Sequence, residues 1–150
     1  MKVKLDISDE YSEKTIVIQS PKDDQEVVDL VQKLESIIQE LQKISGYHDD
    51  TVYQLDLTEV LFFETNDRDV YAHTSDNSYR VNQRLYELEE ILPANFIRVS
   101  KSTILNLDQV RSLTRSVTGN LIEFKNSYKQ VYVSRRFYKD VKIKLGKKDY

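Results

Sequence analysis

A mainly β chain with short helices, of the α+β class, is what these 150 residues predict, and three observations predict it. Short runs of β-branched, aromatic and aliphatic residues recur from about residue 51 to residue 133, as strands require. Polar breaks such as "NDRD", "SDN" and "TGN" separate those runs at hairpin distances. Helical periodicity is confined to three places: a long stripe before residue 46, a short one near residue 85 and a last one after residue 134.

Taken in order, "VKLDI" (3–7) and "TIVI" (15–18) read as two short strands around the polar turn "SDEYSEK". In "SPKDDQEVVDLVQKLESIIQELQKISG", Ser20 is placed to cap a helix, Pro21 to be its first residue and Gly46 to end it. Val27, Val31, Leu34, Ile38 and Leu41 form one apolar seam of that helix, and a second, overlapping seam includes Leu30, Ile37 and Ile44. A stripe that wide needs cover. It is expected to pack on the protein's own sheet or to form a dimer interface, and opposite edges could do both.

From there the period changes. "TVYQLDL", "EVLFFE", "VYAHT" and "SYRV" read as strands, and "NQRLYELEEIL" as a helix through Leu85, Leu88 and Leu92 that Pro93 stops. "FIRVS", "KSTILNL", "VRSLTRSV", "LIEF" and "YKQVYV" continue the β series. Ser134 is placed to cap a final helix, "RRFYKDVKIKL", ending at Gly146. The expected organisation is a β-β-α extension over 1–46 and a mostly β domain over 47–150. No internal repeat is expected.

The absence of cysteine excludes disulfides, thiolate metal sites and cysteine nucleophiles. No apolar run approaches a membrane span, and the start lacks the features of a signal peptide, so a soluble, cytoplasmic protein is expected. Nothing in the sequence suggests an enzyme. His48 and His73 are far apart, and "HDD" at 48–50 reads as a solvated turn rather than a metal site. There is no phosphate loop or nucleophile elbow, and the adjacent pairs Asp23-Asp24 and Glu89-Glu90 point apart on helices. No cofactor, metal or small-molecule substrate is expected.

Charge is the informative feature. Residues 96–150 hold 13 Lys+Arg against 4 Asp+Glu, whereas residues 1–95 hold 9 against 21, so an overall charge of −3 hides a polarised chain. A one-signed basic third attracts phosphate without the whole protein being basic. Ser100-Lys101-Ser102 and Ser134-Arg135-Arg136 set hydroxyls beside cations, as phosphate and base contacts want, and the arginine pair falls at a helix N-terminus.

Those same residues carry a resemblance. In order, "YQLDLTEVLFFET", "VYAHT", "YRVNQRLYELEEILPANFIRVSKSTILNLDQVRSLTR", "LIEFKN" and "YKQVYVSRRFYKDVKIKLG" are similar to the LytTR DNA-binding domain family of bacterial transcription regulators, across about residues 47–146. One departure is Asn126-Ser127, where the family more often has an Asn-Gly turn. The resemblance implies an elongated stack of small antiparallel sheets whose loops enter successive major grooves of double-stranded DNA. Carried over by position, it implies contacts from Lys101, flanked by Ser100 and Ser102, and from Arg136, flanked by Arg135. A third loop, Asn66-Asp67-Arg68-Asp69, is shorter here and carries two acidic residues, which makes Arg68 a weaker candidate. Asn106 and Asp108 of "LNLD" read as turn-forming.

About 45 residues precede the matched region, too few for the receiver domain many family members carry. The resemblance is therefore to small stand-alone regulators, often encoded beside a small membrane protein that restrains them. A homodimer on two repeated half-sites is expected, with the extension serving dimerisation or partner contact. The alternative is a protein-interaction module whose basic surface meets an acidic partner. An RNA binder is disfavoured because no "GFGFV"-like segment is present.

Overall fold

The computed structural model describes residues 1–148, with side chains described through Gly146. The chain is mixed α+β and divides into two compact units, 1–41 and 42–150.

The first unit contains one helix, α1 (Gln25–Leu41). Its start differs from the expectation. Ser20 spends its hydroxyl on a local turn, donating to the Lys22 carbonyl at 2.6 Å, and Asp24 supplies the cap by accepting the Val27 amide at 3.0 Å. Residues 3–7 and 15–18, expected to be strands, form none. Val3, Leu5 and Ile7 are 82–98% exposed, and a ribbon of two such short strands has no covering layer to stabilise it. The segment between them folds as a turn, with the Tyr11 hydroxyl donating to Asp6 at 2.5 Å. No residue of α1 is buried: Val27, Leu30, Val31 and Leu34 are half-buried, while Ile38 and Leu41 are exposed.

The second unit opens with β1 (Lys43–His48) and β2 (Thr51–Asp56), a hairpin turning at Asp49-Asp50 with Asp49 at φ 53°. Gly46 thus lies inside a strand instead of ending a helix. A Cβ there would sit 2.6 Å from Leu55 Cδ1 and 2.8 Å from Tyr79 Cβ, so glycine is required for strand approach. The strands β3 (Phe62–Asn66), β4 (Asp69–His73), β5 (Ser78–Val81), β6 (Phe96–Ser100) and β7 (Thr103–Asn106) follow, with helix α2 (Leu85–Ile91) between β5 and β6. These seven strands form one sheet in the order β2-β1-β5-β4-β3-β7-β6. β8 (Val110–Ser116), β9 (Gly119–Phe124) and β10 (Gln130–Val133) form a second sheet in the order β10-β9-β8, and every pairing in both sheets is antiparallel. Helix α3 (Arg135–Lys148) follows β10 and runs through Gly146, which does not stop it.

The central strands lack hydrophobic alternation because both of their faces are covered. Phe63, Ile104 and Phe96 join one core with Leu85 and Leu88 of α2, while their neighbours Phe62, Leu105 and Ile97 join another with Ile122, Phe124 and Val141. Adjacent residues on a strand point to opposite faces, so "FF", "IL" and "FI" each feed two cores at once.

Two turns of the domain share a local motif. "LDLTEV" (55–60) and "LNLDQV" (105–110) each make a strand end, an Asx-capped 3-10 turn and an emerging valine. Asp56 accepts the Thr58 amide at 3.0 Å, and Asn106 accepts the Asp108 amide at 3.0 Å. The turns dock on each other, with Gln109 Nε2 donating to the Thr58 carbonyl at 2.7 Å and Asn106 Nδ2 to the Val60 carbonyl at 3.0 Å. Asn106 is fully buried, so its turn-forming role extends to joining two segments 50 residues apart.

Candidate nucleic-acid interface

The β6–β7 hairpin presents Lys101 and Ser102 at its tip, because Ser100 pairs with Thr103 across a two-residue turn. A bulge between Arg98 and Ser100 precedes the turn. Bulges release backbone groups from the ladder, and the Val99 carbonyl accepts the Ser134 amide at 2.9 Å instead. That bond draws the start of α3, with Arg135 and Arg136, to the base of the Lys101 hairpin. On the other side, β3 pairs with β7 so that Glu64 faces Thr103, and the Thr65 amide donates to the Ser102 carbonyl at 2.9 Å. The β3–β4 tip, Asp67-Arg68, consequently lies at the same end of the sheet, with Asn66 and Asp69 as its closing pair.

Seven residues distant in sequence therefore share one end of the domain: Asn66, Arg68, Ser100, Lys101, Ser102, Arg135 and Arg136. All are exposed except Ser100, which is half-buried and whose hydroxyl accepts the Ser102 amide at 3.3 Å. Asp67, at φ 59°, and Asp69 flank Arg68 and weaken the positive potential there.

The structure sorts the other cations. Among the described residues, Arg111 pairs with Glu123, Lys144 with Asp140 at 3.2 Å, and Arg98 with Glu89. Lys125 donates to the Asp108 carbonyl at 3.1 Å, and Arg115 stacks over Tyr138. Arg68, Lys101, Arg135 and Arg136 take part in none of the described ion pairs. Arg136 lies over the Phe137 ring at 5.5 Å. Lys139 and Lys142 further along α3 are exposed and likewise take part in none of the described ion pairs, so the free charge of the last third lies at the hairpin tip, at the α3 start and along α3.

A polar cluster that the sequence does not announce lies at the opposite end of β3. His73 pairs with Phe62 and stacks on it at 4.3 Å. Its Nδ1 meets Lys129 Nζ at 3.2 Å, and its Nε2 meets Glu64 Oε1 at 2.8 Å. Lys129 also donates to the Asn77 carbonyl at 2.7 Å, and Ser127 to the Ser75 carbonyl at 3.0 Å. The Asn126-Ser127 turn, with Asn126 at φ 54°, thus ties the second sheet to the β4–β5 loop. Burial, and then the Lys129 charge, lower the His73 pKa to about 4. Burial raises Glu64 and lowers Lys129 from their ordinary values. A neutral imidazole accepting from the ammonium must carry its proton on Nε2, so the Glu64 contact is a hydrogen bond to a carboxylate rather than an ion pair.

One end of this antiparallel domain thus carries the exposed Lys101 hairpin tip beside the exposed Arg135-Arg136 start of α3. The family model for the LytTr DNA-binding domain matches residues 50–146, and the chain belongs to that family of DNA-binding domains. It is 33% identical over 149 residues to a protein of Staphylococcus aureus (strain MRSA252) named an uncharacterized HTH-type transcriptional regulator, covering 97% of this chain and 99% of that one. A counterpart from strain MSSA476 is 32% identical over the same length. Among solved structures, the LytTr DNA-binding domain of a Bacillus cereus protein named as a methyl-accepting/DNA response regulator superposes with a TM-score of 0.64. It shares 21% identity and covers 70% of this chain and 97% of its own. The helix-turn-helix in the relatives' name has no counterpart among the described residues, where no two helices are consecutive elements.

Proposed function

We propose that this protein is a sequence-specific transcription regulator that inserts the Lys101 hairpin and the Arg135-Arg136 helix start into the major groove of double-stranded DNA at repeated half-sites, acting as a homodimer in the cytoplasm. The observation that carries the reading is the convergence of two unpaired basic segments through the Val99–Ser134 bond. The major groove is about 12 Å wide and admits a two-stranded ribbon. A hairpin tip therefore enters it without a recognition helix. Lys101 and Arg136 are the base readers, each able to donate to guanine O6 and N7. Arg135, Ser100 and Ser102 hold phosphates, and Asn66 and Arg68 make the weaker third contact.

Dimerisation falls to the stripe Val27, Val31, Leu34, Ile38 and Leu41, none of which is buried within one chain. A small membrane protein that restrains the regulator is the other partner such a stripe could take. The reading is tested by Arg136→Ala on a selected duplex and on random DNA. Loss of about 1–3 kcal/mol on the selected duplex, with relaxed preference at one base pair, is expected. Equal loss on both duplexes would make Arg136 a phosphate contact and remove it from base reading.

A further inference from the structure

Arg98 stands apart from the free cations of the interface. Its side chain is 24% exposed, and its guanidinium is committed to three acceptors inside the protein. Nε donates to the Ser100 carbonyl at 2.8 Å, one terminal nitrogen donates to the Lys101 carbonyl at 2.5 Å, and the other pairs with Glu89. The first two acceptors belong to the tip of the hairpin, where a bulge and a two-residue turn take carbonyls out of the ladder. The third reaches from α2, which Leu85 and Leu88 lock into the core. A guanidinium offers donors in a rigid plane, so it fixes the relative positions of all three acceptors, which a rotating ammonium does not.

We propose that Arg98 is a positioning residue for DNA recognition: by clamping the Ser100 and Lys101 carbonyls to Glu89 of α2, it holds the Lys101 hairpin in its reading geometry without touching DNA itself. The proposal rests on the reading of Lys101 as a DNA contact. Its signature separates it from simple electrostatics. Removing Glu89 takes a negative charge away from the interface, which by charge alone tightens binding to any duplex. Loss of the clamp instead lowers the preference for the right one.

The test compares wild type, Arg98→Gln and Glu89→Ala for affinity to the tightest duplex selected from a randomised library and to a scrambled duplex, at one salt concentration. Thermal melts confirm that each variant is folded. The expected result is a three- to tenfold loss of preference in both variants, about the size of coupling found between contacting residues, and no further loss when either change is added to Lys101→Ala. If Arg98→Gln fails to fold, Glu89→Ala decides, since the Glu89 side chain is 47% exposed. A folded Glu89→Ala protein with unchanged preference, or a loss that persists in full beside Lys101→Ala, overturns the clamp alone. A Lys101→Ala protein with wild-type preference overturns the hairpin reading and the clamp with it.

Discussion

Acidification is expected to destabilise the contact between the two sheets through His73. The imidazole is wedged between the Phe62 ring, the Glu64 carboxylate and the Lys129 ammonium, with its side chain 16% exposed. Asp76 and Glu64 are the acidic groups acting on Lys129. Burial of the imidazole, and then the Lys129 ammonium 3.2 Å from its Nδ1, bring its folded pKa down to about 4 from 6.5. Because the folded value is the lower one, the unfolded chain binds the proton first. The stabilising contribution is complete above pH 6.5 and is lost as pH falls from 6.5 towards 4. At about 1.36 kcal/mol per pKa unit, the full loss is roughly 3 kcal/mol, and about 1 kcal/mol of it falls between pH 7.5 and 5.5. Burial shifts Glu64 upward, which has the opposite sign, and that carboxylate is present in both proteins compared here. Urea melts at those two pH values, on wild type and His73→Gln, isolate the imidazole. Glutamine can still accept from Lys129 and donate to Glu64 but does not titrate. Wild type should lose roughly 1 kcal/mol more than the variant on acidification. Equal losses, or a gain in wild type, would refute the reasoning.

Two further outcomes follow from the geometry. Asn106→Ala removes the acceptor for Asn95 Nδ2 (2.7 Å) and the Asp108 amide, together with the donor to Val60, all around a fully buried side chain. A fall of roughly 2–4 kcal/mol in unfolding free energy is expected by denaturant titration, and less than about 1 kcal/mol would mean water replaces the amide. Leu34→Asp with Ile38→Asp should convert a dimer to a folded monomer, read by sedimentation velocity with circular dichroism. A folded protein of unchanged size would remove α1 from the interface, and an unfolded one would make the stripe part of the core.

Much of the second unit is legible in sequence because its strands are short, bounded by polar turns and paired with neighbours close in the chain. "VYAHT" and "SYRV" lie on either side of "SDN", and their pairing follows from distance alone. The first unit is not legible for the converse reason. "VKLDI" and "TIVI" have strand composition, but composition supplies no partner, and both remain unpaired. The start of α1 is not legible either, because Ser20 and Asp24 have the same capping chemistry and only local geometry chooses between them. The basic segments of the site could be listed from sequence, yet which of them stay free could not. Arg98 and Lys101 differ by three positions, yet Arg98 is spent on the Ser100 and Lys101 carbonyls and on Glu89 while Lys101 stands exposed at the tip. His73, Glu64 and Lys129 left no signal, since their meeting depends on strand register and on a loop 56 residues away. The paired "LDLTEV" and "LNLDQV" turns were visible as text, and only their docking through Asn106 gives the similarity meaning.

The most direct test of the central claim is fluorescence-anisotropy binding of wild type and Lys101→Ala to duplexes from the gene's own upstream region and to scrambled duplexes, across a salt series. A DNA regulator reading through the Lys101 hairpin predicts fragment-selective binding that weakens steeply with salt and loses its selectivity in Lys101→Ala. Weak, sequence-blind binding that Lys101→Ala leaves unchanged would contradict the account and point to an acidic protein as the partner of the basic face.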